Sequence, residues 1–125
     1  MEYRHQRSVS FSDTDAAGVV HFSRILCYVE EAEHAFLKSL DIPLFEGGGW
    51  PRVDVHCSYY APIMPDDTIE VVISPEQLGR SSILWKFEIT RSGDLCASGS
   101  VKTARVNAEG KSIQLDHSWR EKLES

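Results

Sequence analysis

FSRILCYVEEAEHAFLKSL, residues 22–40, is the stretch on which the fold turns. Its apolar residues Ile25, Leu26, Val29, Ala32, Phe36, Leu37 and Leu40 recur at steps of three and four, which predicts a long amphipathic helix from Phe22 to Leu40. Pro43 and the run Gly47-Gly48-Gly49 close it. The apolar face is wide, so much of the helix surface needs a cover.

That cover is written on either side. Upstream, Tyr3 to Phe11 alternates weakly and runs into the polar cluster Ser12-Asp13-Thr14-Asp15, a strand entering a loop. Downstream, Val53, Val55, Cys57 and Tyr59 alternate with Asp54, His56, Ser58 and Tyr60, predicting a strand with one wet or functional face. Ile69/Val71/Ile73 and Ile83/Trp85/Phe87/Ile89 repeat the alternation, and a last strand spans about Leu95 to Val106. The breaks at Pro62 to Asp67, Leu78-Gly79-Arg80 and Ser92-Gly93-Asp94 read as hairpin-like connections. Asp116 is placed to cap a short helix from about His117 to Leu123. Strand, long helix, then four strands on short turns is α+β with one five-stranded, largely antiparallel sheet, and not alternating βαβ. One helix on one sheet leaves strand edges open. The segment Val53 to Tyr60 has no proline and few charges to guard its edge, so pairing with a second copy of the chain is expected.

Composition narrows the function. The 125 residues, 42% hydrophobic and 26% charged, suit a single domain over residues 1–125 with one core. Thirteen Lys and Arg against nineteen Asp and Glu give a net charge of −6, the wrong sign for nucleic-acid binding. The longest apolar run, Ile25 to Val29, is far too short for a membrane span, and the opening MEYRHQRSVS has no signal-peptide core, so a cytoplasmic location is expected. Cys27, Cys57 and Cys96 are odd in number and lack C-x-x-C spacing, which suggests neither a disulfide framework nor a zinc ribbon. Charge is unevenly spread: residues 1–79 carry −8, from 5 basic against 13 acidic side chains, whereas residues 80–111 carry +3, from 6 against 3. An anionic ligand would favour the second segment.

The densest chemistry is Asp13-Thr14-Asp15-Ala16-Ala17-Gly18-Val19-Val20-His21-Phe22, where a loop meets the long helix. First-turn amides lack intrahelical acceptors and carry partial positive charge, so a carbonyl docked there is polarised and an oxyanion stabilised. A carboxylate a few residues earlier can serve as base or nucleophile on that carbonyl. Gly18 permits close approach of backbone to ligand. Asp13 and Asp15 are also residues that turns and helix caps favour. Calcium is not indicated, because an EF-hand loop starting at Asp13 would have Ala17 at its fifth position and Arg24 where its bidentate Glu belongs. A D-x-D phosphotransfer site needs a parallel sheet, and Asp13, Asp15 and His21 match no strong metal pattern. There is no G-x-S-x-G elbow, and His56 and Cys57 are strand neighbours that point to opposite faces. Glu30 or Glu31 on the helix is an alternative base.

The segment Asp13-x-Asp15-Ala16-Ala17-Gly18-Val19-Val20-His21-Phe22, the long helix after it, and Pro62-Ile63-Met64-Pro65-Asp66-Asp67 before a strand together resemble the 4-hydroxybenzoyl-CoA thioesterase family of hotdog-fold acyl-CoA thioesterases. The resemblance spans nearly the whole chain. It implies a helix wrapped by a curved antiparallel sheet, homodimers joined edge to edge, pairing into homotetramers, and active sites at the subunit interface. It places the catalytic carboxylate on Asp15, the oxyanion-binding amide on Phe22, and CoA-phosphate contacts on Arg80 and Ser81 in the positive segment, where this chain has Ser81-Ser82 in place of adjacent basic residues. His21, Ser58 and Tyr59 would then shape the acyl pocket. The expected activity is hydrolysis of an acyl- or aroyl-CoA thioester without metal or organic cofactor. A hotdog-type dehydratase and a non-catalytic binder of acyl-CoA or acyl-carrier protein are the alternatives.

Overall fold

A computed structural model describes all 125 residues. The chain forms β1 (Tyr3–Ser8), a single 3-10 turn (Phe11–Asp13), α1 (Phe22–Ser39), β2 (Gly48–Gly49), β3 (Arg52–Tyr59), β4 (Thr68–Leu78), β5 (Ser82–Arg91), β6 (Asp94–Ala104), β7 (Val106–Asn107) and α2 (His117–Glu124). Five strands make one antiparallel sheet in the order β1-β4-β5-β6-β3, and β2 pairs with β7 in a separate ribbon. The first strand ends at Ser8, earlier than the alternation suggested, because residues 11–13 turn as a 3-10 helix toward α1.

The sheet's inner face follows from period-two patterning and register. Ile73 lies opposite Phe87, Val71 opposite Ile89, Trp85 opposite Val101 and Ile83 opposite Thr103, so all of these side chains fall on one side and are buried. Against them α1 lays Ile25, Tyr28, Val29, Ala32, Phe36 and Leu37. Phe36 stacks on Tyr3 at 5.1 Å and meets Trp85 edge-on at 5.8 Å. Burying each such side chain contributes about 1.5–3 kcal/mol. Trp85 Nε1 donates to Thr103 Oγ1, so the one polar atom of that indole is satisfied inside the core. Gly99, opposite both Phe87 and Cys57, lets β6 and β3 close together, since a Cβ there would collide with the His56 carbonyl.

β3 departs from its sequence pattern. Alternation predicted Val53, Val55, Cys57 and Tyr59 as a covered face, yet Val53 is 56% and Val55 42% exposed. The reason is position: α1 lies closest to β1 and β4, and β3 is the opposite edge of the sheet. Nothing within the chain covers Val53 and Val55, and a shallow apolar groove with Leu26, Cys27 and Val55 on its walls runs between α1 and β3. Arg52 closes one end of that groove, its Nη2 lying 2.6 Å from Glu33 and 3.1 Å from Glu30.

Candidate active site

Residues 13–21 form a small hairpin hung on the sheet. Thr14 bridges Val20, Asp15 N–H donates to the Val19 carbonyl, and Gly18 N–H donates to the Asp15 carbonyl. Gly18 closes the turn at φ 79°, a backbone conformation that costs an L-residue about 1–2 kcal/mol. A side chain there would meet no other part of the chain, so within the chain it is the turn that calls for glycine. The loop after β3 holds the hairpin from the other side: Val20 N–H donates to the Ile63 carbonyl, and Asp67 accepts from Met64 N–H and from Arg91. This is the work of the Pro62–Asp67 segment.

His21 is the N-cap of α1, its Nδ1 accepting from Ser23 N–H at 3.2 Å. Phe22, the first helical residue, has no backbone acceptor for its own N–H. That amide is available to a ligand oxygen at the positive end of an 18-residue helix.

A cleft of about 410 Å3 opens here between the hairpin, α1 and the end of β3. Asp15, Phe22 and Tyr59 line it together with Val19, Tyr60, Ile63 and other apolar side chains. Asp15 is exposed, and its Oδ1 accepts from Ala17 N–H at 2.8 Å, which orients the carboxylate. Tyr59 donates its hydroxyl to the Phe22 carbonyl at 3.1 Å, and the two rings meet edge to face at 6.5 Å. Burial of the hydroxyl end, with the Cys57 thiol beside it, pushes Tyr59 up to about 12, so it stays a donor at neutral pH.

Three of the residues singled out from sequence, Asp15, Phe22 and Tyr59, therefore meet in one cleft with Gly18 at its hairpin tip. Others do not join them within a single chain. The ring of His21 stacks on Phe22 at 4.4 Å and serves the cap, while Ser58, next to Tyr59 on β3, points to the opposite face of the sheet. Arg80 and Ser81 sit in the β4–β5 turn, at the far end of the sheet from the hairpin. β4 runs eleven residues between the two, roughly 30 Å at about 3.3 Å per residue. The Arg80 side chain is exposed with no partner in the chain, whereas its carbonyl accepts from Leu115 N–H. Arg105, also in the positive segment, is not available to a ligand: it is buried between Trp50 and Trp119 and donates to the Leu44 and Glu46 carbonyls.

The alternative bases are engaged elsewhere. Glu31 pairs with Arg7, Glu30 pairs with Arg52, and neither lines the cleft. Asp13, two residues from Asp15, is only 7% exposed and faces inward, accepting from Tyr28 OH at 2.7 Å. Sequence reading missed Tyr28 and Arg7, whose only signal was a tyrosine on the apolar stripe of the helix and an arginine on a strand.

A helix capped beside an exposed carboxylate, with a free first-turn amide and an apolar cleft, on a sheet that folds over one long helix, defines a hotdog-fold thioester hydrolase. Residues 17–98 match the thioesterase superfamily, and the chain belongs to that family. It is 31% identical over 121 residues to the 1,4-dihydroxy-2-naphthoyl-CoA hydrolase of Thermosynechococcus vestitus, covering 93% of this chain and 79% of that one. A gentisyl-coenzyme A thioesterase superposes with a TM-score of 0.89 at 28% identity, covering 96% of this chain and 98% of the other. The 1,4-dihydroxy-2-naphthoyl-CoA thioesterase of Synechocystis has the same fold, with a TM-score of 0.89 at 24% identity over 98% of this chain and 96% of that one.

Proposed function

We propose that this protein hydrolyses an aroyl-coenzyme A thioester to the free acid and coenzyme A, with Asp15 as the reacting carboxylate and Phe22 N–H as an oxyanion donor. The observation that carries this reading is the convergence of Asp15, the unpaired Phe22 amide and an aromatic, mostly apolar cleft at one point. The thioester carbonyl would point its oxygen at Phe22 N–H while the acyl group lies against Phe22, Tyr59 and Ile63. Asp15 then either attacks the carbonyl carbon, expelling the CoA thiolate and leaving a mixed anhydride that water opens, or takes a proton from the water that attacks directly. The amide stabilises charge developing on oxygen in both routes. The flat ring of an aroyl group suits a cleft whose Phe22 and Tyr59 stand edge to face, and the curated relative and the gentisyl-coenzyme A thioesterase above are both named for aroyl substrates.

Assembly belongs to the same proposal. β3 is an open edge with Val53 and Val55 uncovered, which supports a homodimer made by pairing this edge with that of a second copy; a homotetramer, as a dimer of dimers, is what the family resemblance adds. Arg80 and Ser81 lie too far from Asp15 to serve the same molecule within one chain, so the phosphate contacts of each site would come from another copy. A cytoplasmic location, where CoA thioesters and reduced thiols coexist, fits three free cysteines. The test is release of free thiol, followed with a thiol reagent, from benzoyl, hydroxybenzoyl, hydroxynaphthoyl and aliphatic CoA thioesters. Aroyl thioesters should show the highest kcat/KM. Failure to release thiol from any of them, or a clear aliphatic preference, refutes the reading.

A further inference from the structure

Asp13 is a buried carboxylate that the proposed chemistry does not use, and it is tied in an unusual number of directions. Its Oδ2 accepts from the Tyr28 hydroxyl at 2.7 Å and lies 3.4 Å from Arg7 Nη2, and its Oδ1 lies 3.7 Å from Arg24 Nε. Its backbone is engaged as well: Asp13 N–H donates to the Ser10 carbonyl, and the Asp13 carbonyl accepts from His21 N–H at 3.0 Å. That last bond closes the base of the hairpin that carries Asp15, and His21 immediately precedes Phe22. The carboxylate and the oxyanion donor of the proposed reaction are thus referred to one anchor. Tyr28 fixes that anchor to the second turn of α1 and Arg7 fixes it to β1.

We propose that Tyr28 and Arg7 are positioning residues for catalysis, holding Asp13 so that Asp15 and the Phe22 amide face the same carbonyl. The inference rests on the assignment of Asp15 as the reacting group. Tyr28 is suited to the task because burial and the neighbouring Asp13 carboxylate both raise its pKa, keeping it a protonated donor throughout the working range. Arg7 bridges: its guanidinium lies 4.5 Å over the Tyr28 ring and its Nη1 pairs with Glu31 one turn along the helix. Two cations, Arg7 and Arg24, face two carboxylates, Asp13 and Glu31, so the cluster balances in charge. Simple packing would be served equally by a phenylalanine at position 28. What the hydroxyl adds is a directed hydrogen bond to Asp13.

Tyr28→Phe deletes that hydroxyl and keeps the ring against Arg7 and the core. Misplacement of a reacting group by a fraction of an ångström to 1 Å costs up to about a hundredfold in rate, so kcat should fall by about ten- to a hundredfold, with KM changed less than about twofold. Asp13→Asn should lower kcat similarly, and the double variant should be no worse than the poorer single one, because both act through one bond. Arg7→Lys, which keeps the charge and loses the fork, should lie between wild type and Tyr28→Phe. Melting temperature and the oligomer are recorded for each, and turnover is compared among samples that are folded and assembled alike. Tyr28→Phe at full turnover, beside an inactive Asp15→Asn, overturns this inference and leaves the Asp15 reading intact. Asp15→Asn at wild-type turnover overturns both.

Discussion

Replacing Asp15 by Asn removes a charge from the cleft while leaving the loop that carries it almost untouched. Asp15 Oδ1 accepts one hydrogen bond, from Ala17 N–H at 2.8 Å, and the Asn side-chain carbonyl offers the same acceptor to the same donor. The hairpin's remaining bonds, from Asp15 N–H to Val19 and from Gly18 N–H to Asp15, are backbone bonds that the substitution does not reach. Because the side chain is exposed, the change in stability should stay within about 0.5 kcal/mol. The loss in rate has a different size. A positioned base or nucleophile contributes about a hundred- to ten-thousandfold, so kcat should drop at least about a hundredfold, equivalent to about 2.7 kcal/mol at about 1.36 kcal/mol per factor of ten. Asp15→Ala would add the loss of the Ala17 contact, which makes Asn the cleaner variant. Thiol release at saturating aroyl-CoA, paired with thermal denaturation and sedimentation, separates the two quantities. An Asp15→Asn protein retaining more than about a tenth of wild-type kcat would refute the assignment.

Arg80→Ala should raise KM for the CoA thioester more than it lowers kcat, since a phosphate contact remote from the carbonyl stabilises ground and transition states alike; added salt should weaken wild-type binding more than the variant's, and an unchanged KM at low ionic strength would count against the contact. Val55→Lys places a charge on the open face of β3, where Val55 is uncovered in the single chain, and should cost the dimer and the activity together; a fully active monomer in sedimentation at assay concentration would refute the shared site. Glu33, fully buried, has its pKa raised by burial against the opposing pull of Arg52, so the folded state holds its proton to higher pH than the unfolded chain does. Its contribution is then fullest below the ordinary value of 4.5 and declines as pH rises through the folded value; the stability of wild type relative to Glu33→Gln should fall over that window in pH-dependent melting, and a gap that grows with pH would contradict the burial argument.

The candidate site was legible in part because the cluster from Asp13 to Phe22 is one continuous stretch at the start of a helix, whose geometry is local, while the choice of Asp15 and Phe22 within it came from the family resemblance. Tyr59 came in with the family resemblance, and its bond to the Phe22 carbonyl spans 37 residues and has no local trace. Tyr28 illustrates the limit well. It lies on the buried face of α1, and only the arrival of Asp13 and Arg7 from outside the helix turns it from a packing residue into a donor.

By itself the sequence determined the helix from Phe22, the succession of strands along the chain before and after it, the cap at Asp116, which accepts from Ser118 N–H as expected, and the placing of a carboxylate ahead of a helix N-terminus. Each rests on periodicity or on capping bonds within a turn of chain, which neighbouring residues settle without the rest of the fold. Only the tertiary structure decided that Val53 and Val55 stand uncovered, that Arg105 is locked between two tryptophans, and that Arg80 and Asp15 lie at opposite ends of one sheet. Those outcomes depend on strand order. A strand's alternation states which side is apolar, but the strand's rank in the sheet, edge or centre, decides whether anything packs there, and that rank is set by long-range pairing.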